Sequence, residues 1–298
     1  MFYLHVIQNK SFDQERALYG SCGLNLLSCR FEGPADGESA LKESRDLLVQ
    51  DCCFDLRYPF WHDHNLTIQN TRLTENCRAA LWYSSQISIE DSNFQGVKAL
   101  RECSGISIKN ATIDSTECLW FCDQIRVDHA AFSGEYFMLR SSRFEADHLE
   151  LNGKYSFQYV QDAVIRDSVL NTKDAFWHSK NVTVYNSTVK GEYLGWYSEN
   201  LRLVNCTIEG TQPLCYAKNL VLENCTMIGC DLSFENSEVQ ATIRGTVDSV
   251  KNPKCGSIAA AGYGEIILDQ YQTEPDRCSI ITLPKQETCS CGSCSCGR

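Results

Sequence analysis

The chain has 298 residues, 43% of them hydrophobic, which is enough for a sizeable core, and a formal net charge of −11 with a pI near 5.1. That acidic balance argues against nucleic acid or an anionic membrane surface as partner, because phosphate recognition needs a basic face. No apolar run reaches the roughly 18 residues of a membrane span, and the start MFYLHVIQNK lacks a basic stretch followed by an apolar one, so the expectation is a cytoplasmic protein with no membrane partner.

Residues 1–23 should cap the first coil of a repeat. From Leu24 onward the chain returns to one pattern. Apolar pairs one residue apart open each unit: Leu24/Leu26, Leu47/Val49 and Leu66/Ile68, then Ile87/Ile89, Ile106/Ile108, Ile125/Val127, Phe144/Ala146, Ala163/Ile165, Val182/Val184, Leu201/Leu203 and Leu220/Leu222, with Ile106 following Ile87 by 19 residues. A second pair, small then large, comes a few residues later, as in Cys52/Phe54, Ser92/Phe94, Ser187/Val189 and Cys225/Met227. Alternation with period two means strands, and a fixed period near 20 residues means a solenoid. The predicted fold is all-β: a single-stranded right-handed parallel β-helix of about 11 coils of about 19 residues, right-handed because parallel crossovers nearly always are. Each coil should hold three strands, the third being a stretch such as ALWY (80–83) or GWY (195–197). The helix should run from 24 to 238, with 239–281 breaking the register as a C-terminal cap and 282–298 as a Cys-rich tail.

Two polar columns punctuate the coils. Asn70, Asp91, Asn110, His129, His148, Asp167, Asn186, Asn205 and Asn224 stand between the first and second strands. Asn65, Gln86, Gln124, Asn181, Asn200 and Asn219 precede the first strand. Asn and Asp tolerate a left-handed corner and bond locally to backbone, so both columns read as structural. Asn-x-Thr triplets such as Asn65-Leu66-Thr67 and Asn186-Ser187-Thr188 arise from this geometry and, without secretion, carry no meaning as glycosylation sites.

The blocks FDQERALYG (12–20), ESALKES (38–44), LRYPFWH (56–62), CRAALWY (77–83), KDAFWHSKNVTVYNSTVKGEYLGWYSENL (173–201), GTQPLCYAKNL (210–220) and IRGTVDSVKNPKCG (243–256) resemble a microbial family of uncharacterised right-handed β-helix proteins, the domain of unknown function numbered 3737. The resemblance covers 12 to about 268 and implies a pectin-lyase-like architecture. It implies no activity, so no catalytic residue is carried over from it.

Every tryptophan falls in one column: Trp61, Trp82, Trp120, Trp177 and Trp196, with Lys42, Arg101 and Gln158 among the other members. The column before it is apolar and should face inward, so the tryptophans should face out. The column after it reads Glu43, His62, Tyr83, Glu102, Phe121, Arg140, Tyr159, His178, Tyr197, Tyr216, Glu235. The columns allow two readings. In one, Lys42, Trp61, Trp82, Trp120, Trp177 and Trp196 form a binding face for an oligosaccharide or for a second copy of the chain, without chemistry. In the other, Glu43, His62, Tyr83, Arg101 and Glu102 make it a carbohydrate-active enzyme, a polysaccharide lyase or glycoside hydrolase. A pair of carboxylates can act as acid and base on a glycosidic bond, but Glu43 and Glu102 stand three coils, about 14 Å, apart. His62-Asp63-His64 is a weak metal pattern.

Eighteen cysteines without a secretion signal should be thiols. Cys29, Cys52, Cys206 and Cys225 occupy the small inward column and should be core, with Cys103 and Cys122 as small fillers. Cys289, Cys291, Cys294 and Cys296 form a C-x-C-x-x-C-x-C run with no core to join, whose thiolates could take Zn²⁺ or Cu⁺. No other cofactor is expected.

Overall fold

The computed structural model describes residues 5–33, 39–272 and 277–284. These form a right-handed parallel β-solenoid of about 14 turns, all-β and without an α-helix among the described residues. Among the described residues no helix is long and apolar enough to cross a membrane. The apolar pairs of successive coils lie in register: Ile87 pairs with Ile106 and Leu66, and Ile89 with Ile108 and Ile68. Both columns point inward and are fully or almost fully buried, as are Phe31, Phe54 and Phe94 of the second strand. Large side chains stack on their equivalents one coil away. Phe31 and Phe54 lie 4.5 Å apart at 2°, and Phe157 and Phe176 lie 4.9 Å apart at 10°.

The solenoid has more turns than the 11 expected, because strands continue at both ends. His5–Gln8 and Ser11–Phe12 pair in parallel with Cys22–Leu27 and Arg30–Glu32, adding a coil where a cap was expected. Glu238–Lys251, Cys255–Ile267 and Cys278–Thr282 extend the stack beyond 238. The register does shift there, between Leu222 and Cys225 and again between Ile243 and Thr246. The sequence period is lost at those steps, while the hydrogen-bonded ladder absorbs each slip as an irregularity.

Among the described residues, the third strand forms in three coils only, at Phe60–Trp61, Leu81–Trp82 and Leu100–Arg101. In the later coils the same stretch is a tight turn. Its cause is a run of alternating left-handed residues: Glu117, Leu119 and Phe121, or Tyr155, Phe157 and Tyr159, all with φ between 55° and 60°. A chain that turns left-handed at every second residue cannot keep an extended ladder.

The polar columns are the left-handed corners. Asn70, Asp91, Asn110, His129 and His148 have φ of 45–53°, and Asn65, Asn181 and Asn200 have φ of 54–58°. Side-chain amides chain from coil to coil, Asn181 Nδ2 donating to Asp162 Oδ1 at 2.8 Å and Asn200 Nδ2 to Asn181 Oδ1 at 2.8 Å. The small inward residues have a second task. Thr71 N–H donates to Ser92 Oγ at 3.1 Å and Ser168 N–H to Ser187 Oγ at 3.0 Å, so each hydroxyl takes a backbone donor that the corner strips from the sheet. A Ser, Thr or Cys therefore suits this column better than an alanine of similar size. Cys29, Cys52, Cys103, Cys122, Cys206 and Cys225 are all buried, and the described cysteines are free thiols.

Candidate functional site

The aromatic face runs along one side of the rod. Leu81 and its equivalents fill the core, Trp82 turns outward, and Tyr83 sits at a left-handed corner with φ of 57° and is exposed. The five tryptophans are half-buried. Each donates its indole N–H to a backbone carbonyl of the following coil: Trp61 to Ala79 at 2.7 Å, Trp82 to Lys98 at 3.0 Å, Trp120 to Tyr136 at 2.6 Å, Trp177 to Tyr193 at 3.1 Å and Trp196 to Gln212 at 2.8 Å. The carbonyls belong to the loop leading into the next turn, so the tryptophans staple coil to coil. Trp82→Phe keeps a six-membered aromatic ring but removes the donor and the pyrrole ring that carries it, and should lower stability by at least about 1 kcal/mol, read from chemical denaturation.

Ring faces are the surfaces a sugar would stack on, and in this column several of them are taken by neighbours. Trp61 and Trp82 are parallel within 2° at 5.1 Å, and Trp177 and Trp196 within 1° at 5.7 Å. Lys42 closes the first stack, with Nζ 5.6 Å from the Trp61 centroid, and Arg101 lies 5.0 Å from Trp82 and 5.6 Å from Trp120. Within these stacks the shared ring faces are closed to a sugar.

The candidate catalytic residues share the neighbouring column. His62 stacks on Tyr83 at 4.9 Å, and Arg101 Nε lies 3.5 Å from Glu102 Oε1. Glu43 and Glu102 are exposed, on coils three apart. Within WHDH, Asp63 is drawn into the core at 1% exposure, while His64 Nδ1 lies 2.8 Å from Ser85 Oγ. The metal pattern is therefore split between outside and inside. Cys289, Cys291, Cys294 and Cys296 lie outside the described residues.

Residues 5–281 match the model of a family described as "Protein of unknown function (DUF3737)". The chain belongs to the DUF3737 family. Among solved structures, this DUF3737 chain is similar to PfbA, a surface adhesin of Streptococcus pneumoniae, with a TM-score of 0.51 and 9% identity over 80% of this chain and 82% of that one. It is also similar to the A-module of the Azotobacter vinelandii mannuronan C-5 epimerase AlgE4, with a TM-score of 0.31 and 9% identity over 81% and 91% of the two chains. These likenesses concern the fold alone. No curated protein matches the sequence.

Among the described residues of the DUF3737 rod, the longest outward aromatic stack lies in the C-terminal half. Tyr159, His178, Tyr197 and Tyr216 stack one per coil, with centroids 5.0, 5.0 and 4.9 Å apart and planes within 13°. Arg140 covers the Tyr159 end at 5.2 Å, and the Tyr216 hydroxyl donates to Glu235 Oε2 at 3.4 Å. Two residues further on, Gln161, Lys180, Glu199 and Lys218 form a parallel polar row, and the two rows enclose an open groove of about 450 Å³ along the rod. Tyr159 and Tyr197 are 42% and 45% exposed, so the ladder is open to a ligand. Sequence reasoning places these residues in the right column but singles out its N-terminal half, where the charged residues stand. Four consecutive aromatics in one register are the signal it passes over.

Proposed function

We propose that this DUF3737 protein is a binding module for an extended oligosaccharide lying along the rod in the groove of Tyr159, His178, Tyr197 and Tyr216. The supporting observation is the four-ring ladder beside a matched row of hydrogen-bonding side chains. The four rings cover one another's faces as the tryptophans do, so the ladder offers phenol and imidazole edges with polar tips, and the recognition rests on these together with Gln161, Lys180, Glu199 and Lys218, which supply donors and acceptors at each coil. The groove repeats at the strand spacing of about 4.8 Å, which suits a linear polymer better than a compact ligand. Two lysines against one glutamate make it locally basic on a chain of net charge −11, which favours acidic sugars.

A binding role fits better than hydrolysis. The groove holds one carboxylate, Glu199, ion-paired with Lys180 at 3.3 Å, whereas glycoside hydrolysis ordinarily takes two flanking the bond. The test is thermal-shift screening of the full chain against neutral and acidic oligosaccharides, with mass spectrometry of each mixture. A shift with unchanged mass is expected for acidic oligosaccharides, and Tyr197→Ala should weaken that binding about tenfold or more. A changed mass would identify an enzyme instead. No shift with any glycan would sink the proposal.

A further inference from the structure

The corner column between the first and second strands is an amide chain for most of its length. Asn110 Nδ2 donates to Asp91 Oδ1 at 3.2 Å, Asn186 to Asp167 at 3.3 Å, Asn205 to Asn186 at 3.3 Å and Asn224 to Asn205 at 2.9 Å. Two consecutive coils depart from it. His129 and His148 occupy the same corner, with φ of 51° and 53°, and stack at 4.2 Å and 11°. That is closer than the strand spacing of about 4.8 Å requires. Asp128, the residue before His129, places Oδ1 2.5 Å from His129 Nδ1. One ligand atom from each of Asp128, His129 and His148 lies within 4.8 Å of the others.

Nothing in the corner's structural role calls for histidine here, since Asn or Asp serves it on the coils either side. Both imidazoles are exposed and Asp128 is half-exposed, so an ion can reach them and the side chains can rotate to meet it. Ligands on one Zn²⁺ ion lie at most about 4.2 Å apart, twice a bond of about 2.1 Å, so small torsional changes close the remaining gap. The rings must also tip out of parallel, because each nitrogen lone pair lies in its ring plane. The surroundings are acidic: Asp147 stands in register with Asp128, and Asp167 follows His148 in the column, while Lys109 flanks Asp128 on the preceding coil.

We propose that His129, His148 and Asp128 form a surface site for a divalent first-row ion of the Zn²⁺ class, with water completing the shell. Two imidazoles and one carboxylate without a thiolate match Zn²⁺ or Cu²⁺ chemistry, whereas Mg²⁺ and Ca²⁺ would call for oxygen ligands alone. A bound ion would bridge two adjacent coils at their corner. The site is independent of the glycan groove, which lies on a different column.

The test uses the full-length chain with Cys289, Cys291, Cys294 and Cys296 replaced by serine, so that tail thiolates do not compete. Zn²⁺ retention is measured by equilibrium dialysis, and Co²⁺ is added as an optical probe. One ion per chain is expected, with weak d–d bands and no thiolate charge-transfer band. His129→Asn and His148→Asn, which install the residue the column carries elsewhere, should each weaken retention at least about tenfold, and Asp128→Asn by about tenfold. Imidazole ¹⁵N shifts of His129 and His148 on Zn²⁺ addition give a readout that needs no histidine variant. No ion retained at millimolar Zn²⁺, or retention unchanged in both histidine variants with no imidazole shifts, would overturn the assignment.

Discussion

Asp63→Asn should stabilise the rod at pH 8 and flatten the dependence of its stability on pH. Asp63 stands in an inward column of small residues, Ser44, Ser84, Cys103, Cys122 and Ser141 among them, all buried. Its Oδ1 accepts the Ser44 N–H at 2.9 Å and its own N–H donates to Ser84 Oγ at 3.0 Å, as the serines of the column do. Its Oδ2 is buried with no hydrogen-bond partner among the described residues. Burial pushes the carboxyl up to about 8, opposed by the Ser44 N–H and assisted by the nearby negative charge of Glu43. The folded chain thus keeps a proton that the unfolded chain releases near pH 4. The stability this group contributes is complete below about pH 4, falls by about 1.4 kcal/mol per pH unit, and is gone once Asp63 ionises near pH 8. Asparagine keeps the oxygen that accepts from Ser44 and cannot ionise. Denaturation at pH 5 and pH 8.5 checks this: the variant should gain a few kcal/mol over wild type at the higher pH and little at the lower. Parallel pH curves for the two proteins would show that Asp63 stays ionised in the fold.

The second large effect is expected at Phe54→Ala. Phe54 is fully buried, stacks on Phe31 at 4.5 Å and tilts against Phe60 at 4.9 Å. Truncation leaves a cavity in a core one side chain wide, at a cost of about 3–5 kcal/mol. Each coil of a solenoid contacts only its neighbours, so the loss should be felt locally. Hydrogen exchange should quicken through the coils around residues 22–73 and leave the Phe157–Phe176 stack protected. Phe54→Leu should recover part of the loss. Uniform acceleration along the whole rod would mean that the solenoid unfolds as one unit.

The parallel solenoid is legible in the sequence because every coil must place the same residues inside. Ile87, Ile106 and Ile125 are forced into one column by the ladder, and a period of 19 residues records that constraint directly. The left-handed corners are legible for the same reason, in the columns of Asn and Asp. The ends are harder to read. Past Leu222 the ladder tolerates slips that scramble the period while the strands still pair, so segments expected to be caps are further coils. Leu-Trp-Tyr alternation points to a third strand, yet left-handed residues at every second position curl most of those stretches into turns.

At the face of the rod, sequence determined which residues share a column and which column turns outward. Tertiary structure decided what those columns present. The spacing of Trp61 and Trp82 gives no hint that their planes lie parallel with faces shut and N–H groups bound to the next coil. Alternation sets His62 and Asp63 on opposite faces, yet WHDH does not announce that Asp63 is fully buried with one carboxyl oxygen lacking a partner among the described residues. A repeat specifies position around and along the rod. Ring orientation, burial of a single carboxyl and the closing of a groove depend on side-chain packing between coils, which no single coil encodes.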